Sequence, residues 1–317
     1  MYYLSIVLSL FLLISCGSKP EEETRRAIDK AQVFLSTNKC QDAINVLEES
    51  GLETTDFLYI QVYASAYACR SGFSELTFFT SDINVLQTSS ATELFTTVSL
   101  LSTSPETMAD SASYTDLLKG INIILNSTGT PSQISRNGTY GERKAGDMGT
   151  QALYMLIAQL GKYLNHYGNV DTTGKKGGGA SQCFLAYSDA TASALADALP
   201  ATNACQPPQV GNPDLSLAAP ELDKTKRRMC EGLMIITNLA DILRNIALPT
   251  NDSFGDLADV KDLVDDYIDD FENSPDTDFS SLIQIKKQSE CEAYIATPAK
   301  FGKLQQMYVG IFEANLE

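Results

Sequence analysis

A single apolar stripe in residues 221–248 constrains the fold more than any other feature of this chain. Six large apolar side chains recur there at intervals of three or four residues: Met229, Leu233, Ile236, Leu239, Leu243 and Ile246. That interval puts them on one face of an α-helix. Met234, Ile235 and Ile242 widen the face, so we expect this helix to be buried on more than one side. Pro249 ends the pattern, because proline cannot continue a helix.

The same interval recurs along most of the chain, whereas no run of alternating β-branched residues predicts a strand. Two more helices are predicted within 88–126, divided near Ser104-Pro105, a pair that suits a helix start. The other predicted helices run from about residue 24 to a turn at 37–39, from 40 through Leu47, and over 55–70, 142–167, 185–199, 254–271 and 298–314. The predicted fold class is therefore all-α.

Polar and glycine-rich segments divide the predicted helices into two regions. Residues 126–141 are rich in Ser, Thr, Gly, Asn and Pro, which predicts a boundary between a helical region at 27–126 and another at 127–317. Within the second region, we expect flexible loops near 168–182 and 200–220. The helical pattern predicts a stack of hairpins that continues into a larger bundle.

The N-terminus carries a short apolar run that ends in Leu13-Ile14-Ser15-Cys16-Gly17. The run is shorter than the roughly 20 residues that a membrane-spanning helix needs, and it is typical of a secretory signal. Its end is similar to the lipobox of bacterial lipoprotein signal peptides, although Met1-Tyr2-Tyr3 lacks the usual basic residue. The resemblance implies a signal peptide at 1–15, lipid on Cys16 and a tether at 16–26. The alternative is an ordinary secretory signal with an unrelated cysteine.

The lipoprotein resemblance also implies a cellular location. Gly17 after the modified cysteine, rather than Asp, resembles lipoproteins sorted to the bacterial outer membrane, where the chain would face the periplasm or the cell surface. The formal net charge is −17, from 40 acidic and 23 basic residues. Such a charge argues against nucleic-acid binding and against broad contact with anionic lipid. The acyl chains would then supply the membrane link alone.

With Cys16 assigned to lipid, an even number of cysteines remains in a chain that we expect to be exported, which favours disulfides. The remaining six are Cys40, Cys69, Cys183, Cys205, Cys230 and Cys291. Six cysteines allow fifteen pairings, of which the pairing of sequence neighbours, 40–69, 183–205 and 230–291, is the simplest. The alternative is a set of buried free thiols.

Four residues in the first two predicted helices resemble one tetratricopeptide repeat (TPR), in its small, aromatic, small and bulky positions: Ala31, Phe34, Ala43 and Leu47. Ala64 and Tyr67 repeat the first two at an offset of 33, close to the family's 34 residues. The resemblance implies antiparallel helix pairs over about 27–85 and a protein or peptide partner. In such a stack Cys40 and Cys69 would lie close together. An unrelated helical hairpin is the alternative.

The sequence carries no catalytic or zinc-ligand signature, and predicts neither a cofactor nor a metal. His166 is the only histidine, and the lysines of the Gly-rich segment 174–181 stand at the wrong place for a phosphate-binding loop. The eleven carboxylates of 252–278 are expected to form a solvated helix face. Tyr59, Tyr63 and Tyr67 lie on one helical face, where they either bind a partner or pack in the core.

These observations predict a non-enzymatic, lipid-anchored scaffold or adaptor of the bacterial envelope, which binds another envelope protein through helical surfaces. Two other classes stay open. One is an enzyme or small-ligand binder with a site assembled from scattered residues, and a deep polar pocket would favour it. The other is a surface-exposed lipoprotein that contacts another cell.

Overall fold

The computed structural model describes residues 20–83, 86, 94–106, 110–177, 181–205, 207–246 and 255–316. Within that part of the chain the regular secondary structure consists of fourteen α-helices and a few short helical turns. Extended backbone forms one isolated bridge there, between Cys183 and Gly211. The predicted all-α class is confirmed. None of the described helices combines the length and the apolarity that a membrane span requires.

The helices vary from one turn to seven turns in length. They are α1 Pro20–Ser36, α2 Cys40–Glu49, α3 Phe57–Arg70, α4 Glu75–Thr77, α5 Leu94–Ser99, α6 Ala112–Leu125, α7 Gln133–Tyr140, α8 Glu142–Tyr167, α9 Ala190–Asp197, α10 Leu222–Asn245, α11 Gly255–Glu272, α12 Thr277–Gln284, α13 Gln288–Tyr294 and α14 Pro298–Tyr308. Two π-helical turns, Phe78–Asp82 and Val309–Glu313, extend α4 and α14, and Pro213–Leu215 forms a 3₁₀ turn.

The first three helices form a small antiparallel stack. The start of α2 is joined to the end of α3 by the Cys40–Cys69 disulfide, with Cα atoms 5.5 Å apart. At the other end, the Tyr59 hydroxyl donates a hydrogen bond to the Leu47 carbonyl at 2.8 Å. Side chains from α1, α2 and one face of α3 fill a separate apolar cluster. The stack has the hairpin arrangement that the helical pattern predicts.

The third helix, α3, belongs to two cores at once. Its opposite face, with Ile60, Ala64 and Ala68, joins the large apolar cluster that extends to Leu316. A close approach to α6 makes this possible, because a Cβ at Gly120 would lie only 2.9 Å from the Ala64 carbonyl oxygen. The large apolar cluster therefore includes residues on both sides of the predicted boundary at 126/127.

Two long helices organise the large core. The helices α8 and α10 have 26 and 24 residues and follow the predicted spans 142–167 and 221–248 closely. Buried residues lie all around α10, as its widened apolar face predicted. The other two disulfides belong to this body: Cys183–Cys205, and Cys230–Cys291, which joins α10 to α13. The six cysteines thus form the pairing of sequence neighbours.

Several local predictions were wrong. Residues 20–26 of the expected tether are helical, with Glu21, Glu22 and Glu23 in the first turn, where negative charge is favourable. Ser104 does not start a helix; its hydroxyl bonds to the Val98 carbonyl, and α6 begins only after the Ser111 cap. Three short helices, α7, α12 and α13, occupy segments for which no helix was predicted. Cys16 and the proposed signal peptide lie outside the described residues.

The glycine-rich loop makes one specific buried contact. Residues 168–177 and 181–182 are described, and Lys176 from this loop is buried against the last turn of the chain. Its Nζ atom lies 3.0 Å from Glu313 Oε2 and donates to the Glu313 carbonyl at 2.6 Å. The contact satisfies the ammonium group, because a buried charge must be paired.

Candidate functional site

The tyrosines of α3 are core residues, which is one of the two roles that the sequence left open for them. Tyr59, Tyr63 and Tyr67 are all buried in the cluster formed with α1 and α2. The hydroxyls of Tyr63 and Tyr67 both donate to Glu48 Oε1, at 2.7 and 2.9 Å. The sequence placed them correctly on one face, but α1 and α2 cover that face. They offer no groove to a partner.

Two other features that the sequence analysis considered, His166 and the acidic stretch 252–278, make structural contacts. His166 lies 2.9 Å from Asp214, at the end of α8 as predicted. In the acidic stretch, Arg244 pairs with Asp265 and Asp269, so part of that helix face packs against α10 instead of facing solvent alone.

One buried group of metal-ligand type occurs among the described residues: Cys183, Cys205 and Glu313. Both cysteines form a disulfide with each other and cannot bind a metal ion as thiolates. The carboxylate of Glu313 is also engaged, since it accepts hydrogen bonds from the Phe184 amide and the Tyr187 hydroxyl and pairs with Lys176. This group is structural.

A cleft of about 530 Å³ lies between α6, α10 and α13, and we call it the α6–α10–α13 cleft. Its floor and first wall are apolar, with Leu118, Ile121 and Leu125 from α6 and Leu156 from α8. Cavities of this size hold small ligands or short peptide segments. On the rim, α6 contributes two exposed amides, Asn122 and Asn126, and the opposite side is formed by 286–289 and Glu292.

One stripe of α10 lines this cleft, from the exposed Arg227 on the rim to the buried Asn238. It consists of Arg227, Glu231, Met234, Ile235 and Asn238. The eleven residue steps from the first to the last correspond to a length of about 16 Å. An extended peptide advances about 3.3 Å per residue, so the cleft matches roughly five residues of such a chain.

The α13 side of the cleft is held in place by covalent and polar contacts. The Cys230–Cys291 disulfide joins α10 to α13, with Cα atoms 5.7 Å apart. Just before α13, Thr237 Oγ1 donates to the Ile285 carbonyl at 3.0 Å and Asn238 Nδ2 donates to the Lys286 carbonyl at 3.2 Å. The cleft is therefore fixed before any ligand arrives, which lowers the entropic cost of binding.

Glu231 is a buried carboxylate at one end of the stripe. Its Oε2 atom lies 3.0 Å from Arg228 Nη1, and the same guanidinium also pairs with Asp110. Burial raises the pKa of the Glu231 carboxyl above its ordinary value, and Arg228 offsets part of that shift. Behind it lies Tyr114, a buried tyrosine that forms a hydrogen bond with the Glu231 carboxylate. Burial and this charged neighbour raise the pKa of Tyr114.

Two buried polar side chains of the cleft lining, Glu231 and Asn238, are enclosed by the protein. The Glu231 carboxylate and the Tyr114 hydroxyl behind it are hydrogen-bonding neighbours. Asn238 donates to the Met234 and Lys286 carbonyls, while its Oδ1 atom has no partner within the described structure. These buried groups therefore hold α10 against its neighbours and are not exposed to the cleft.

A larger depression of about 920 Å³ surrounds the Cys40–Cys69 disulfide, but it is a weaker candidate. Its principal cation, Arg70, is already paired with Asp116 and bonded to Gln41. Of the buried polar atoms that lack a partner in the described chain, none belongs to its lining.

Comparison with known proteins adds no assignment. The chain matches no protein-family model, no curated protein and no solved structure. The site must therefore be interpreted from its own chemistry. The cleft lining includes no histidine or cysteine side chain, and its one hydroxyl, Ser289, is exposed.

Sequence reasoning missed the cleft, although α10 carried a signal. Glu231 and Asn238 interrupt an otherwise apolar helix that was predicted to be buried on several sides. A polar residue in such a position must find a partner, in the protein or in a ligand. The residues that form the other walls, on α6 and α13, are more than 100 and 50 residues away in sequence.

Proposed function

We propose that this protein is a lipid-anchored adaptor of the bacterial outer membrane, which binds an extended peptide segment of another envelope protein in the α6–α10–α13 cleft without transforming it. The observation that carries the proposal is the cleft itself, which has a volume of about 530 Å³, an apolar floor and a length that matches about five residues of an extended chain.

The composition of the rim favours a peptide. Three amide side chains, Asn122, Asn126 and Gln288, stand on the rim above an apolar floor. The amide nitrogens of Asn126 and Gln288 already donate within the protein. The amide oxygens, together with the Asn122 side chain, can bond to the main chain of a peptide. The apolar floor would take alternate side chains of the same segment, as in other clefts that bind extended chains.

The proposed location in the cell envelope rests on the N-terminal sequence. Leu13-Ile14-Ser15-Cys16 supports the lipid anchor, and three disulfides between buried or half-buried cysteines suit an oxidising compartment. The TPR-like pattern of the first helices gives further support to a protein partner, although the tyrosines there are buried. The binding role therefore moves to the cleft in the second half of the chain.

Site-specific photocrosslinking in intact envelopes tests the proposal. A photoreactive residue at Asn122, on the exposed rim, should crosslink to a peptide segment of one partner, and the same residue at the exposed Thr139 should not. The Ser289→Trp variant should block the cleft and abolish the crosslink. Glu290→Trp is the matched control, because Glu290 is exposed beside it but does not line the cleft.

A synthetic peptide that covers the crosslinked segment should then bind the purified protein and compete with the partner. A crosslink that persists in Ser289→Trp would overturn the location of the site. Crosslinking of a small molecule in place of a peptide would favour the alternative function, a small-ligand-binding lipoprotein.

A further inference from the structure

The three disulfides differ in their access to solvent. The four cysteines of the Cys183–Cys205 and Cys230–Cys291 bridges are each exposed by 2 % or less. Cys40 and Cys69 are only half-buried, and both line the depression of about 920 Å³ at one end of the α1–α3 stack. We infer that Cys40–Cys69 is a site of thiol–disulfide exchange, at which a dithiol reduces the folded protein reversibly. The inference does not depend on what the α6–α10–α13 cleft binds.

Access decides whether this exchange can occur in the folded state. A thiolate attacks one sulfur of a disulfide and expels the other, so the reagent must reach the sulfur that it attacks. At the two buried bridges the surrounding chain must open first, which costs free energy. At Cys40–Cys69 the depression already leads from solvent to the disulfide. Exchange in the native protein should therefore be confined to this bridge.

The two sulfurs differ as leaving groups. Cys40 is the first residue of α2, where the partial positive charge of the helix N-terminus stabilises a thiolate. Cys69 lies in the last turn of α3, where the helix dipole has the opposite sign. The sulfur that is more stable as a thiolate leaves faster. We therefore expect attack on Cys69 Sγ and departure of Cys40 Sγ.

The charged side chains of the depression do not reverse this order. Lys39 and Asp42 lie on either side of Cys40 in the sequence, carry opposite charges and are both exposed, so their effects largely cancel. Arg70 follows Cys69, but its guanidinium is paired with Asp116 at 2.5 Å. The difference between the two helix ends therefore remains.

The exchange transfers two electrons from the dithiol to the Cys40–Cys69 disulfide. The first sulfur of the dithiol, as a thiolate, bonds to Cys69 Sγ while the electron pair of the S–S bond leaves with Cys40 Sγ. The second sulfur of the dithiol then attacks the first, closes the disulfide of the reagent and releases Cys69 as a thiolate. The two protons that the dithiol loses end on the Cys40 and Cys69 thiols.

Reduction should leave the stack folded, because other contacts also join α2 to α3. Beside the bridge, Arg70 Nη1 donates to Gln41 Oε1 at 2.6 Å. Near the other end of α2, the hydroxyls of Tyr63 and Tyr67 donate to the Glu48 carboxylate, and apolar side chains of the three helices fill the cluster between them. The two thiols therefore stay close together, and a disulfide reagent can close the bridge again by the reverse steps.

Timed reduction of the full-length protein tests the inference. The native protein is treated with dithiothreitol, samples are quenched by alkylation, and peptide mapping by mass spectrometry gives the reduced fraction of each bridge. Cys40–Cys69 should be reduced about tenfold faster, or more, than either of the other bridges. In concentrated guanidinium chloride the three rates should agree within about threefold, because unfolding removes the difference in access.

A pair of variants locates the route. Gln41 is exposed and lines the depression, so Gln41→Trp should slow the reduction of Cys40–Cys69 by about threefold or more. Asn45→Trp is the matched control, because Asn45 is exposed one turn further along α2 and does not line the depression. Glutathione, a monothiol, locates the attacked sulfur, since the reaction then stops at a mixed disulfide. That disulfide should be found on Cys69, with Cys40 free.

The results that would overturn the inference are distinct. Equal rates for the three native bridges, or earlier reduction of a buried bridge, would show that Cys40–Cys69 is not a preferred site. An advantage that persists undiminished in guanidinium chloride would show that access is not its cause. Loss of the helical circular dichroism signal on reduction would contradict reversible exchange in the folded protein. Glutathione on Cys40 in place of Cys69 would overturn the direction of attack.

Discussion

Lys176 Nζ and Glu313 Oε2 lie 3.0 Å apart, and neither side chain is exposed to solvent although 137 positions separate them. The pair closes the loop after α8 onto the π-helical turn that follows α14. Glu313 also accepts hydrogen bonds from the Phe184 amide and the Tyr187 hydroxyl. Removal of one member leaves a buried charge without its partner, which costs about 3–5 kcal/mol.

We therefore expect Lys176→Met to lower the free energy of unfolding by about 3–5 kcal/mol. Denaturant unfolding measures this change. Lys175→Met is the matched control, because Lys175 is the neighbouring residue and is exposed, so its loss should change stability by less than about 0.5 kcal/mol. Equal stability of the two variants would contradict the buried ion pair.

The tyrosines of α3 should behave as core residues. Tyr63→Ala should destabilise the protein by about 3–5 kcal/mol, through lost burial and the cavity that is left. Tyr63→Phe keeps the ring and removes only the hydrogen bond to Glu48, so a loss near 1 kcal/mol is expected. Thermal and denaturant melts measure the stability of both variants. Normal stability with lost partner binding in Tyr63→Ala would return the binding role to α3.

Glu48 should contribute to the loss of folding stability at acid pH. Its pKa is lowered below the ordinary value, chiefly by the hydrogen bond from the Tyr63 hydroxyl, with partial opposition from burial and support from Tyr67. A carboxyl with a depressed folded-state pKa stabilises the fold above its unfolded pKa, and that contribution is lost as the pH falls through the folded pKa. Between about pH 5 and pH 3 the native protein should therefore lose more stability than Glu48→Gln.

The difference between the two pH–stability curves is the relevant measurement, because Asp265 and Asp278 also have lowered pKa values and affect both proteins alike. Parallel curves for the native protein and Glu48→Gln would contradict the role of Glu48. A carboxyl-carbon NMR titration of Glu48 provides an independent check of the direction.

Gly232 permits a close approach between α10 and α14. A Cβ at this position would lie 2.5 Å from the Tyr308 hydroxyl, which itself contacts the Tyr163 hydroxyl at 2.6 Å. Gly232→Ala should therefore destabilise the protein by about 1–3 kcal/mol, as overpacking does in other cores. Gly146→Ala is the control. A Cβ there meets no atom within 4 Å, so the higher helix propensity of alanine should stabilise α8.

The proposed lipid anchor has a direct test at Cys16. Cys16→Ser should release the protein into the soluble envelope fraction or leave the signal peptide uncleaved, because the sulfur that would carry the diacylglycerol is absent. Membrane fractionation and intact mass measure the result. Unchanged processing and membrane attachment would refute the lipoprotein assignment.

The apolar periodicity of the sequence was sufficient to predict the long helices. The apolar interval predicted 142–167 and 221–248, and the structure has Glu142–Tyr167 and Leu222–Asn245. The short helices were harder to predict, because a segment of about eight residues contains too few apolar repeats to define a helical pattern. The caps of α7 and α12, Ser132 and Asp276, were the signals that could have revealed them.

What the sequence by itself determined is the set of elements that local interactions specify: the helical class and the long helices. The pairing of sequence neighbours was only the simplest of fifteen for the six cysteines, and the tertiary structure selected it. The tertiary structure decided which helix face is covered. Nothing in 57–70 shows that α1 and α2 bury the tyrosines, and nothing near 174–181 shows that Lys176 meets a carboxylate 137 residues away. The cleft follows the same rule, because its walls come from α6, α10 and α13 and meet only when long-range packing brings them together.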